Sequence, residues 1–142
     1  MACNIYTTVK RPGVSKLHIR AVIKTTLSKL GEPDLDVSVH CVGNTKMRTL
    51  NRIFRGSDRP TDVLSFPTED KIHGEISEDA GDIFLCTAYI RSQAKRFDVT
   101  FQEEIDRMLV HGVLHLRGYD HVTKKQANKM FTLQESVLEV IH

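Results

Sequence analysis

Tryptophan is absent from this 142-residue chain and aromatic residues make up only 6% of it, so wide π-surfaces for stacking on planar ligands are scarce. Cysteine is sparse as well. Cys3, Cys41 and Cys86 are odd in number, far apart and without C-x-x-C spacing. That pattern excludes a disulfide framework and a cysteine-based zinc cluster, and it fits a reducing compartment. Long apolar runs are missing too. The longest apolar stretch free of Asp, Glu, Lys and Arg, residues 108–116, is too short to span a bilayer and carries two histidines. No basic segment leads into an apolar one at the N-terminus, and there are no repeats, low-complexity tracts or dividing linkers. A soluble cytoplasmic protein, folded as one domain over residues 1–142, is the expectation.

What is present is a globular composition, 40% hydrophobic and 27% charged. Residues 4–9 alternate as a strand, with Ile5, Thr7 and Val9 on one side. Ile19, Val22, Ile23, Leu27 and Leu30 then recur at helical spacing between a Ser15 cap and a stop at Gly31 and Pro33. Leu35, Val37, Val39 and Cys41 alternate as a second strand, with His40 on the opposite side. Asn44 reads as the cap of a short helix that carries Met47, Leu50 and Phe54 on one face and ends at Gly56. Residues 61–66, between Pro60 and Pro67, read as a strand near a sheet edge, and residues 68–79 as an acidic loop. Ile83, Phe84, Leu85 and Cys86 are almost wholly apolar and predict a central strand. A helix over residues 87–97 is expected to bury Ile90, Ala94 and Phe97. Thr100 and Glu103 form a capping box for the next helix, with Phe101, Ile105, Met108, Leu109 and Leu116 inward and Gly118 as its left-handed stop. A last helix from Thr123 is expected to bury Ala127, Met130, Leu133, Val137 and Ile141. The predicted class is α+β: a small mixed four-stranded sheet packed with about five helices.

A net charge of +2 conceals a dipole. Lys46, Arg48, Arg52, Arg55 and Arg59 against Asp58 give residues 44–59 a local +4; residues 62–82 carry a local −6. Arg48, Arg52 and Arg55 fall at i, i+4 and i+7, opposite the apolar stripe, and form one exposed line suited to phosphates. Two solvated surfaces, or a positive surface for an anionic partner with the acids elsewhere, both fit this distribution.

His18, His40, His73 and His142 are scattered, but His111, His115 and His121 are not. His111 and His115 stack at i and i+4 on one helix face, and the stop at Gly118 lets the chain turn His121 back toward them. Three neutral imidazoles with a fourth position open suit a catalytic Zn²⁺. The spacing H-x-x-x-H-x-x-G-x-x-H is that of the metzincin proteases, whose H-E-x-x-H glutamate acts as general base. Here Gly112 occupies that place, so peptide hydrolysis by that route lacks its proton acceptor. Glu104, two turns earlier, is a poor substitute; Asp120 is either an acceptor for a ligand N–H or simply turn chemistry.

The run His111-Gly-Val-Leu-His115-Leu-Arg-Gly118-Tyr119-Asp120-His121 resembles the H-G-x-L-H-L-x-G-Y-D-H signature of the YbeY endoribonucleases. Two further blocks are similar: residues 50–56 followed by Pro60-Thr-Asp-Val-Leu-Ser-Phe-Pro67, and Gly81-Asp-Ile-Phe-Leu-Cys86. The likeness covers about residues 35–142, departs locally at Phe54, where a tyrosine is common, and includes no motif in the first thirty-four residues. It implies a metal-dependent, single-strand-selective endoribonuclease of the cytoplasm. Its action would lie in rRNA maturation near the 3′ end of small-subunit (16S) rRNA and in ribosome quality control, with the ribosome or small-subunit proteins as partners. The resemblance places one zinc on His111, His115 and His121, and the family arginine at Arg55.

Such chemistry suits a phosphodiester. Zn²⁺ polarises a phosphoryl oxygen and lowers the pKa of a bound water to about 7. Arg55 is then expected to hold the charge that develops in the transition state, with Arg48, Arg52 and Arg59 guiding the strand. With so few rings, recognition is expected to rest on backbone charge rather than base stacking. A non-catalytic ribosome-assembly or RNA-binding module with a structural zinc is the alternative reading, and a protease the third.

Overall fold

The computed structural model describes residues 2–68, 71–72, 75–76 and 78–142. Period-two alternation in the N-terminal half builds a mixed sheet in the order β1-β2-β6-β3, from β1 (Cys3–Thr7), β2 (Asp36–Val42), β3 (Val63–Pro67) and β6 (Asp79–Cys86). The first three neighbours run parallel and β3 is antiparallel to β6. The proline-flanked strand is therefore an edge and the apolar one is central, as their compositions predict. A small antiparallel hairpin, β4 (Lys71–Ile72) with β5 (Glu75–Ile76), interrupts the stretch expected as an acidic loop. The rest of that expectation, at positions 69, 70, 73, 74 and 77, lies outside the described residues.

The five helices are α1 (Lys16–Lys29), α2 (Asn44–Arg55), α3 (Thr87–Arg96), α4 (Phe101–Leu116) and α5 (Lys124–Ile141). Ile5, Val39, Ile83 and Leu85 of the sheet join Ile23 and Leu27 of α1 and Ile105, Leu109 and Val113 of α4 in one buried core. Each such side chain contributes roughly 1.5–3 kcal/mol by leaving water. On the sheet's other face, α2 packs over only part of the surface, where Met47, Val42, Leu64 and Cys86 form a second, smaller cluster. No helix among the described residues is long and apolar enough to cross a membrane. The three cysteines are free and buried.

Local expectations differ from the structure where a polar partner or an element's end intervenes. Gly43, not Asn44, caps α2; the Asn44 carboxamide oxygen instead accepts from the Cys86 thiol at 3.1 Å. Phe54 is 61% exposed because it sits at the end of α2, touching Phe66 edge-on at 4.9 Å rather than entering the core. Phe97 is 64% exposed because it follows the last turn of α3, where the Arg96 guanidinium covers its ring. Ser15, Thr100 and Thr123 cap α1, α4 and α5, the latter two in full capping boxes. Two scattered histidines acquire a role: Asp106 of α4, 1% exposed, bonds His18 Nε2 at 2.6 Å and His142 Nε2 at 2.7 Å. A buried carboxylate needs such partners.

Candidate metal centre

α4 carries the site because its sequence gives it one face for the core and a C-terminal margin for chemistry. His111 and His115 lie one turn apart on that margin, ring centroids 4.6 Å apart. The third histidine is delivered by the way α4 ends. Gly118 adopts φ 89°, the Tyr119 N–H bonds back to Leu114 O and the Gly118 N–H to His115 O, closing a Schellman turn. The chain reverses there, and His121 arrives with its ring 5.2 Å from His115 and 5.6 Å from His111.

Their donor nitrogens all lie within 4.8 Å of one another. The Nε2 atoms of His111 and His115 are 3.1 Å apart, close to the ~3.3 Å that two imidazole nitrogens subtend at a tetrahedral zinc with Zn–N of about 2.0–2.1 Å. Burial lowers the affinity of both rings for protons. His115 is pushed down to about 4, first by burial and then by the neighbouring His111 and His121; His111 is lowered by burial against a hydrogen bond that opposes it. Neutral imidazole is the form that binds a metal. The opposing bond runs from His111 Nδ1–H to Gln134 Oε1 of α5 at 2.9 Å, which leaves Nε2 free toward the centre. These residues fit a metal ion with an open coordination position.

The site lies in a cleft of about 530 Å³, lined by the three histidines together with Asn51, Arg55, Asp62, Ser65, Phe131 and Gln134 among others. Arg55 thus reaches the same cleft as the histidines, from the last turn of α2. The other basic residues expected to guide a strand do not line it. Arg48 is exposed and paired with the Asp58 carboxylate at 2.9 and 3.1 Å, Arg52 is exposed on α2, and Arg59 is exposed beyond that helix. Asp120 resolves toward turn chemistry: it accepts from the His121 backbone N–H at 2.7 Å and stands 3.8 Å from the ring nitrogen. Glu104 is buried beside Gln93 and Arg107 and does not line the cleft.

Gly112 has a packing reason. A Cβ there would lie 3.0 Å from Ile83 Cγ2 and 3.3 Å from Ser65 Oγ, and Ser65 Oγ donates to the Gly112 carbonyl at 3.1 Å. Position 112 therefore faces the sheet, where a glutamate side chain has no room. Gln134, Ser65 and Asp62 were not singled out as site residues from the sequence. A polar residue inside the apolar stripe of α5 was the available signal for Gln134. Asp62 is fixed by the Val63 N–H, the Thr61 hydroxyl and the Gln93 amide.

Fold and cleft together define an α+β domain whose edge strand, basic helix and core helix surround a histidine group able to hold a metal ion. Residues 5–142 match the family Endoribonuclease YbeY. The chain belongs to the YbeY endoribonuclease family, and the match extends well into the N-terminal segment that carried no recognisable motif. A Sulfurihydrogenibium relative named endoribonuclease YbeY is 37% identical over 127 residues, covering 89% of this chain and 83% of the relative. The Bacillus subtilis protein of that name is 40% identical over 111 residues, covering 73% and 71% of the two chains. The solution structure of TM1509 from Thermotoga maritima superposes with a TM-score of 0.66 at 30% identity, over 96% of this chain and 87% of that one.

Proposed function

We propose that this protein is a zinc-dependent endoribonuclease that cuts single-stranded RNA, and that its substrate is rRNA near the 3′ end of the small-subunit (16S) molecule. The observation that carries the reading is the meeting of three imidazoles and Arg55 in one open cleft. His111, His115 and His121 would hold the ion, which when bound supplies Lewis-acid polarisation of a phosphoryl oxygen and an activated water. Gln134 fixes the His111 ring so that Nε2 points inward. Arg55 places a permanent positive charge where the phosphate gains negative charge, and its planar fork can hold two oxygens at once. Arg52 and Arg59 extend the positive rim for the incoming strand. Arg48 contributes less, since Asp58 already neutralises it. The same proposal puts its activity in the cytoplasm during ribosome maturation and quality control, with the ribosome or its small-subunit proteins as partners; membership of the family supports this reading.

The test is metal content and cleavage of single-stranded rRNA on one preparation, before and after chelation and zinc restoration. His115→Ala is expected to lose most of its zinc; Arg55→Glu is expected to keep zinc and lose cleavage. Full zinc occupancy in the His115 variant would sink the ligand assignment. Equal cleavage by a rigorously purified triple-histidine variant would reveal a contaminating nuclease and leave the chain a non-catalytic RNA-binding module.

A further inference from the structure

Four of the chain's nine phenylalanine and tyrosine rings, together with one histidine, meet on one face of the sheet. Tyr6, His40 and Phe84 face one another across β1, β2 and β6 in direct register, on the sheet face away from α1 and α4. Tyr6 stacks on His40 at 5.1 Å and His40 on Phe84 at 4.2 Å, nearly parallel. Phe66 meets Phe84 edge-on at 5.6 Å, and Phe54 meets Phe66 at 4.9 Å. Beside this row lies an open cavity of about 400 Å³ lined by His40, Leu50, Phe54, Phe66, Asp82 and Phe84. Its walls are aromatic and its main polar group is a carboxylate, with Asp82 Oδ1 on His40 Nε2 at 2.9 Å and the side chain 44% exposed.

We propose that this cavity takes a nucleobase of the same RNA strand that the metal cleft cuts, held between rings and read through Asp82; the inference rests on the endoribonuclease reading above. Continuity of the two sites carries it. Consecutive residues of α2, Phe54 and Arg55, line the aromatic cavity and the metal cleft respectively. Consecutive residues of β3 repeat the division, Ser65 on the cleft and Phe66 on the cavity. Because β3 is a sheet edge, the cleft and the aromatic face adjoin along it, and a strand whose phosphate lies at Arg55 would reach that face over the Phe54–Phe66 contact. Lys46, Arg52 and Arg55 on α2 set positive charge beside this path, while the cavity itself admits an uncharged, flat group. Carboxylate oxygens accept but do not donate, so Asp82 selects guanine, which presents an imino and an amino hydrogen side by side, over uracil, whose single imino hydrogen is flanked by carbonyl oxygens.

The experiment mixes zinc-loaded full-length protein rapidly with ten-nucleotide single-stranded RNAs carrying the fluorescent base 2-aminopurine at successive positions, and reads quenching before turnover and cleavage products afterwards. Quenching confined to a narrow window of positions at a fixed distance from the cut is expected. Phe54→Ala, an exposed position whose loss leaves the core intact, is expected to abolish that quenching and weaken binding about 5- to 150-fold, the range for losing one stacked base at ~1–3 kcal/mol. Asp82→Asn is expected to lower affinity for guanine at that position several-fold while leaving uracil unchanged. Cleavage with no position-specific quenching, or wild-type affinity in both variants, overturns the inference and leaves the nuclease reading standing. Quenching without cleavage by the zinc-loaded protein overturns the nuclease reading alone.

Discussion

Replacing Gly112 by alanine tests the packing that sets the metal helix against the sheet. In a helix interior alanine is favoured over glycine by ~0.8–1.0 kcal/mol. Against that gain stands the new Cβ, 3.0 and 3.2 Å from two carbons of Ile83, a fully buried residue of the central strand, and 3.3 Å from Ser65 Oγ. Neither neighbour is the free end of a flexible chain, so α4 must move by a few tenths of an ångström. Overpacking of this kind costs ~1–3 kcal/mol. The balance is a net loss of about 1 kcal/mol, which for a 142-residue domain lowers Tm by about 3–4 °C. The assay is thermal unfolding of chelator-treated protein, so that metal binding does not mask the change. Gly112→Glu, which restores the protease-like H-E-x-x-H pattern, is expected to cost at least about 3 kcal/mol, because the site must also bury a carboxylate without a partner. It is expected to show no peptide hydrolysis. An alanine variant that melts above the parent by the full helix-propensity gain would refute the argument, since it would mean that space exists between α4 and β6.

The other predictions concern the metal site. Gln134→Leu keeps the volume of the residue but removes the acceptor for His111 Nδ1–H, and is expected to weaken zinc affinity about 10- to 100-fold in a chelator competition, with the fold unchanged by circular dichroism. In the metal-free protein, His115 stays neutral down to about 4, whereas an ordinary histidine takes up its proton near ~6.5. Between those values the unfolded chain binds the proton and the folded one does not. Stability therefore falls as pH drops from about 6.5 to about 4 and gains no further loss from this residue below that. Urea midpoints across that window should decline less steeply in His115→Gln; identical slopes would contradict the burial argument.

The fold was legible where one physical pattern dominates. Strict alternation marked β1 and β2, prolines placed β3 at an edge, and Thr100, Glu103 and Gly118 fixed both ends of α4. Spacing alone brought His111, His115 and His121 together, since two are set by helix geometry and the third by a glycine turn. Contacts between segments distant in the chain were less accessible. Nothing in the order of residues pairs Gln134 with His111, Arg48 with Asp58, or Asp106 with His18 and His142. The sparse aromatic content likewise concealed that Tyr6, His40 and Phe84 fall in one row, because that depends on the register of three strands. Gly112 was recognised as a missing base, yet its reason lies in Ile83 and Ser65 across the core.

The division of the three histidines between a helix and a turn would govern how an ion bound there comes and goes. His111 and His115 ride on a helix packed into the core, which fixes the spacing of their backbones. His121 sits exposed on the short connection between α4 and α5. An ion held by all three would tie that connection down, and its release would begin at the ligand least anchored to the core. Stiffening residues 118–122 would therefore slow release of the ion and, through that slower release, also tighten its binding.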